Sequence, residues 1–278
     1  MASKHQTLTS RWVNMKAIIK SIYKLFVIFG INPLKTIRAF KGIPIYYKNR
    51  KLLKRQEKYA SKKFPFATPY PCLSDRFDNA GEATGHYFHQ DLLVARRIYT
   101  NNPSRHIDIG SRIDGFVAHV ASFRKLEIID VRSMVCNIPN VTFSQADLMK
   151  GLDSKLEECS DSLSCLHALE HFGLGRYGDP VNYNGYLLGL DNLYLILKKG
   201  GKFYFSVPIG PQRIEFDAHR VFSISYLLEL FDNKYHIDHF SYVDDKGNLH
   251  ENELITDKSK NDNFNCNYGC GIFEMTKL

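Results

Sequence analysis

The stretch CLHALEHFGLGRYGDP, residues 165–180, runs from an apolar segment that reads like the end of a buried strand straight into His167, Glu170 and His171, then into a glycine-rich loop. A histidine with a near-neutral pKa suits proton transfer from a hydroxyl. A carboxylate beside imidazoles is also a set of metal donors. Three roles therefore stand open for this tip. It can supply a general base. It can hold a divalent metal through Glu170 and His171, joined by His167 or the distant His219. Or it can cap the next helix and order the loop.

A second cluster follows in VPIGPQRIEFDAHRVFS, residues 207–223, where Arg213, Glu215, Asp217, His219 and Arg220 crowd together after a Pro-Gly-Pro loop. Arg213 and Arg220 suit a sugar phosphate or an acidic sugar, with Glu215 beside them, and His219 is an alternative base. A surface ion-pair network is the competing role. Tyr177 and Asp179 in the glycine-rich loop would add polar contacts to a hydroxylated substrate.

Such side chains work only if something positions them. The patterning predicts a helix over 86–99, strands over 106–110, 126–131, 141–148, 161–169 and 202–209, and helices over 115–123 and 183–201. Strands alternating with helices imply a mostly parallel sheet between helical layers, whose ligands sit beyond the carboxyl ends of the strands. Those ends carry Asp108, Gly110, Arg112 and Gly115 after the first strand, Asp130 after the second, Asp147 after the third and the His-Glu-His tip after the fourth. A glycine turn lets backbone approach a ligand, one acid accepts from both ribose hydroxyls, and a further acid takes an adenine amino group. The set describes an adenosine-containing cofactor.

A dinucleotide would want a second glycine where Arg112 stands. S-adenosylmethionine has no pyrophosphate and tolerates a looser loop. The order D-I-G (108–110), Asp130, A-D (146–147), L-E-H (169–171) and L-K-K-G-G (197–201) resembles class I S-adenosylmethionine-dependent methyltransferases over roughly residues 104–240. The longer segments HIDIGSRIDGF, HALEHFGLGRYGDP and FYFSVPIGPQRIEFDAHRVFS resemble an unassigned methyltransferase-like family, a domain of unknown function found among surface-polysaccharide genes. The resemblance implies an α/β fold with a Rossmann-like class I methyltransferase sheet, mostly parallel with an antiparallel last strand and helices on both faces. It departs from the usual glycine loop at Ser111–Asp114, where Arg112 either blocks the methionine end or reaches its carboxylate.

The 278 residues carry a net charge of +8, unevenly spread. Residues 1–63 hold 16 Lys or Arg against one acid, Glu57, so residues 64–278 are net acidic at −7. Within the basic part, Ile18, Ile19, Ile22, Leu25, Phe26 and Phe29 recur at helical spacing beside Lys16, Lys20 and Lys24. This predicts a basic amphipathic helix within residues 15–40, fit either to pack on the main domain or to lie on an anionic membrane surface. Its apolar block is too short to span a bilayer, and no signal-type cleavage site follows. Nucleic acid is not expected as a partner, because no aromatic-rich basic stripe accompanies the charge. Residues 1–14 are expected to derive from an expression vector, with Met15 the natural start. The six cysteines are scattered and read as reduced thiols of a cytosolic protein.

The expected organisation is a basic extension over 1–63, a connector with a lid-like loop and helix over 64–103, and a methyltransferase-like domain over 104–278. GIPI at 42–45 reads as extended, and 251–265 as a flexible loop. The expected function is O-methyl transfer to a sugar hydroxyl of a glycan or its precursor at the cytoplasmic face of a membrane. The alternatives are a different sugar-modifying chemistry on the same fold, or a non-catalytic binding module.

Overall fold

The computed structural model describes residues 21–61 and 64–278. The chain divides into two compact units, Met1–Glu82 and Ala83–Leu278. The portion of the expected amphipathic helix at 15–20 lies outside the described residues. Helix α1 is described over residues 21–28 and ends at Gly30, whose φ of 78° suits glycine. Asn32 then caps α2, Pro33–Glu57, by accepting from the Lys35 N–H, and Pro33 occupies the first turn.

The extended reading of 42–45 is corrected here: α2 runs through Pro44. Gly42, buried in α2, lies so close to the chain at Leu73 that an added Cβ would stand 2.0 Å from the Leu73 carbonyl oxygen. Packing at that point holds a helix that proline alone would interrupt. Among the described residues, no helix is long and apolar enough to cross a membrane.

The larger unit opens with α3, His86–Asn101, closed by the left-handed Asn102. Strands β1 (His106–Ile109), β2 (Leu126–Asp130), β3 (Val141–Gln145), β4 (Ser160–Leu166) and β5 (Leu197–Ile209) are parallel. Their order is β3-β2-β1-β4-β5, continued by β10 (Gly269–Lys277), β8 (Tyr235–Val243) and β9 (Leu249–His250). β10 lies antiparallel between β5 and β8. Both faces are covered, as the apolar strands demand. One core gathers Leu163, Phe205 and Phe273 with Leu190 and Leu193 of α5 (Gly185–Ile196) and Leu227 of α6 (Ile224–Phe231). The other gathers Ile128, Leu166 and Tyr204 with Leu93 and Ile98 of α3.

Three local expectations change. KKGG, expected to end a helix, begins β5, because Ser160 pairs with Leu197. The helix expected at 115–123 is an irregular turn, Ile113–Val117, leading into the short α4, Ala118–Ala121. The stretch 251–265 contains α7, Asp257–Asp262, fixed by a capping box between Thr256 and Ser259.

Candidate active site

The sheet reverses its winding between β1 and β4, and the crevice beyond that point is where open α/β sheets hold ligands. A crevice open to solvent lies there. Ile109, Ile129, Ala146 and Leu148 give it an apolar floor, and Gly110, Asp130, Asp147, His167, His171, Tyr177 and Asp179 line it. Seven residues nominated from the sequence thus converge on one cavity.

Gly110 turns the chain out of β1 with φ at 68°. A Cβ there would stand 3.2 Å from Ala168 Cβ and 3.9 Å from Asp130 Oδ2, filling the space a ligand backbone contact needs. Asp108 itself is wholly buried and accepts from the Ser111 N–H, the Ser111 hydroxyl and the Ser164 hydroxyl. Burial pushes its carboxyl up to about 6, against those hydrogen bonds. Asp108 therefore shapes the turn rather than facing the ligand. Gly115 is needed because Asp91 Oδ2 would lie 2.4 Å from an added Cβ. Arg112 does not line the pocket; it pairs with Asp114 at 2.8 Å and lies over the Tyr87 ring.

Asp130 faces the pocket but is already engaged. Arg132 donates to both its oxygens, at 3.0 and 2.6 Å, and the Arg132 main-chain N–H donates at 2.8 Å. The same guanidinium lies 4.5 Å from the centre of the Tyr177 ring. Asp147 accepts from the Met149 N–H, while its buried Oδ2 has no hydrogen-bond partner and the Lys150 ammonium stands 3.6 Å away. An orphaned carboxylate oxygen in the pocket is what an adenine amino group would satisfy.

At the other end, His167 follows β4 with φ at 50° and donates its N–H to the Ser206 carbonyl. Its Nδ1 is 2.8 Å from Glu170 Oε1, and both side chains are buried. Burial would raise the Glu170 carboxyl, but His167 and then His171 hold it below its usual value. His171 donates from Nδ1 to the Ala218 carbonyl at 2.7 Å, leaving Nε2 3.7 Å from Glu170 Oε1. Burial lowers its pKa, with Glu170 opposing, and Tyr177 packs edge-on against its ring.

The loop beyond is built by Asp179, whose carboxylate accepts from the N–H groups of Gly173, Gly175 and Tyr177. Arg220 is buried and donates to the carbonyls of Glu170, Phe172 and Tyr183. Its guanidinium pins this loop. Arg213 pairs with Glu215 in the hairpin β6 (Arg213–Glu215) and β7 (His219–Val221), outside the pocket. His219 stands 3.4 Å from Glu215 and stacks on Tyr268, with its pKa lowered by burial.

Several neighbours escaped the sequence reading: Arg132, His86, Tyr87, Tyr268 and Cys270. Arg132 had a local signal, two residues beyond a nominated acid. The others arrive from distant segments that no spacing connects.

A mostly parallel sheet wound β3-β2-β1-β4-β5, with an antiparallel strand inserted before the next, is the class I S-adenosylmethionine-dependent methyltransferase sheet. Residues 122–267 match the family model described as "Caenorhabditis protein of unknown function, DUF268", and the chain belongs to that family. Among solved structures it is similar to N-methyltransferase NodS from Bradyrhizobium japonicum WM9 in complex with S-adenosylhomocysteine, at 12% identity and a TM-score of 0.45, covering 69% of this chain and 87% of that one. It is similar to the [4+2]-cyclase SpnF at 15% identity and a TM-score of 0.49, covering 68% and 80%. A third is the Burkholderia thailandensis 1,6-didemethyltoxoflavin-N1-methyltransferase, at 17% identity and a TM-score of 0.44, covering 68% and 78%. No curated protein matches the chain by sequence.

Proposed function

We propose that the chain is an S-adenosylmethionine-dependent O-methyltransferase whose acceptor is a sugar hydroxyl of a surface polysaccharide or its precursor. The observation that carries this reading is the convergence of Gly110, Asp130 and Asp147 with the His171 imidazole on one pocket beyond the strand ends. Gly110 offers a turn without a side chain, Asp130 is the ribose acceptor, and Asp147 Oδ2 is the adenine acceptor. S-adenosylmethionine supplies the methyl group when bound.

His171 is the base in this reading. Its Nδ1 proton is committed to Ala218, so Nε2 is the bare nitrogen. It takes the acceptor proton, and the Glu170 carboxylate stabilises the imidazolium that results. His219 is the alternative base. The rings of Tyr177 and Tyr268 beside these histidines suit a hydroxylated ring substrate.

Apolar side chains at 22–40 support peripheral attachment to an anionic membrane from the cytoplasmic side. Ile28 is 77% exposed, Phe29 75% and Phe40 67%, within a segment rich in lysine and arginine.

The engagement of Asp130 by Arg132 favours a second reading, in which the pocket takes no methyl donor and serves another sugar-modifying reaction or binding alone. Calorimetric titration with S-adenosylhomocysteine separates the two. Micromolar binding lost in Asp130→Ala supports the first; absence of binding removes it. Labelled methyl transfer to a panel of nucleotide sugars and oligosaccharides then tests the acceptor.

A further inference from the structure

We propose that His86, Cys270 and His167 form a zinc site beside the donor pocket. One donor atom from each lies within 4.8 Å of the others. The three come from the start of α3, from β10 and from the tip of β4, so the fold assembles them from segments far apart in the chain.

His167 points most clearly to a missing partner. Its side chain is 4% exposed, Nδ1 is occupied by Glu170, and Nε2 is buried with no hydrogen-bond partner. A buried ring nitrogen left bare is costly unless something binds it. A carboxylate on the far nitrogen of an imidazole is the usual outer support of a metal-bound histidine, fixing its tautomer and aiming the other nitrogen. Glu170 supplies that support.

The neighbours agree. His86 has the Tyr268 main chain as a hydrogen-bonding partner and packs its ring against His167 at 5.2 Å between centroids. Cys270 is fully buried; its sulfur makes long contacts of 3.8 Å to Gln90 Oε1 and the Gly271 carbonyl and interacts with the His167 side chain, so the two prospective ligands already face each other. Two imidazoles and a thiolate are soft and borderline donors that suit Zn²⁺ and not Mg²⁺ or Ca²⁺. With bonds of about 2.0–2.1 Å to nitrogen and about 2.3 Å to sulfur, a small contraction of the cluster completes three tetrahedral positions and leaves a fourth for water or an acceptor oxygen. His167 also lines the donor pocket, so an oxygen in that fourth position would stand next to it. That catalytic consequence rests on the methyl-transfer reading; the binding of zinc does not.

The test uses the full chain without a histidine tag, stripped of metal and titrated with Co²⁺ as the spectroscopic probe and with Zn²⁺ in competition. The expected result is one equivalent of Co²⁺ with intense tetrahedral visible bands and a thiolate-to-cobalt charge-transfer band, displaced by Zn²⁺. Cys270→Ser should lose the charge-transfer band. His86→Ala, at the more exposed ligand, should weaken binding while metal-free thermal melts match the wild type. Glu170→Gln should keep the band and weaken affinity by about 10–100-fold. A wild-type protein without stoichiometric cobalt, or a band that survives Cys270→Ser, overturns the site. S-adenosylhomocysteine binding to the metal-free protein is measured in parallel, so loss of the zinc site and loss of the donor site give different results.

Discussion

In the proposed methyl transfer a base works only while its lone pair is free, and burial lowers the pKa of His171, the base of that reading, below the usual 6.5. The activity should therefore stay level from neutrality downward and fall only on the acid side of about 6.5 as Nε2 takes a proton. His171→Gln should lower kcat by about 10²–10⁴-fold while S-adenosylhomocysteine affinity changes by less than about twofold, read by steady-state kinetics and calorimetry. Asp130 makes a second prediction, because Arg132 competes with any ligand for its oxygens. Arg132→Ala should tighten S-adenosylhomocysteine by about tenfold, or about 1.4 kcal/mol, where Asp130→Ala abolishes binding. A looser complex in Arg132→Ala would show that the guanidinium holds the ligand instead. Gly110, Asp130 and Asp147 were readable in the sequence because each follows a strand, and a parallel sheet brings such ends together. Asp179 was nominated as a substrate contact and does line the pocket, but its hold on the loop through three main-chain N–H groups was not legible, since those groups belong to turns only the folded loop makes.

Strand β1 shows what an element must supply before such a site can exist. His106 is fully enclosed and bridges Ser162 and Ser164 of β4, at 2.8 and 3.1 Å. Burial lowers its pKa to about 3. The unfolded chain therefore binds this proton more tightly, and stability should decline as the pH falls from about 6.5 toward 3. Asp108, raised to about 6, acts in the opposite sense: the folded state holds its proton more tightly, so its contribution declines as the pH rises from 3.8 through 6. His106→Leu should cost about 1–3 kcal/mol by leaving the buried Ser162 hydroxyl unmet, while Ser164 keeps its bond to Asp108. It should also flatten the loss of stability in urea melts between about pH 7 and about pH 4. The strands were legible because their apolar runs are short and bounded by turn residues. The helix through Pro44 and the strand start at Leu197 were not, because a contact with Leu73 and a pairing with Ser160 decide them.

Across the whole molecule, charge and apolar surface are unevenly divided. The +15 of residues 1–63 and the exposed apolar side chains at 22–40 predict co-sedimentation with vesicles containing phosphatidylserine. Raising salt from about 0.05 to about 0.5 M should weaken it, and Phe29→Glu should reduce it further. Retention at high salt with neutral lipid would point to apolar insertion alone. A mostly parallel sheet with an antiparallel last strand was expected, and β10 is that strand; its insertion between β5 and β8 was not read from the sequence. β10 pairs Gly269 with Ile209 and Thr276 with Lys202, closing between β5 and β8. Until those residues have been made and have found their place, β5 presents an unpaired apolar edge, a template for another chain. During synthesis this edge stays open while the whole segment between β5 and β10 emerges, and the distant pairing that closes it is slow. The protein should therefore depend on chaperones while nascent, and substitutions that weaken β10 should lower soluble yield before they alter any property of the finished molecule.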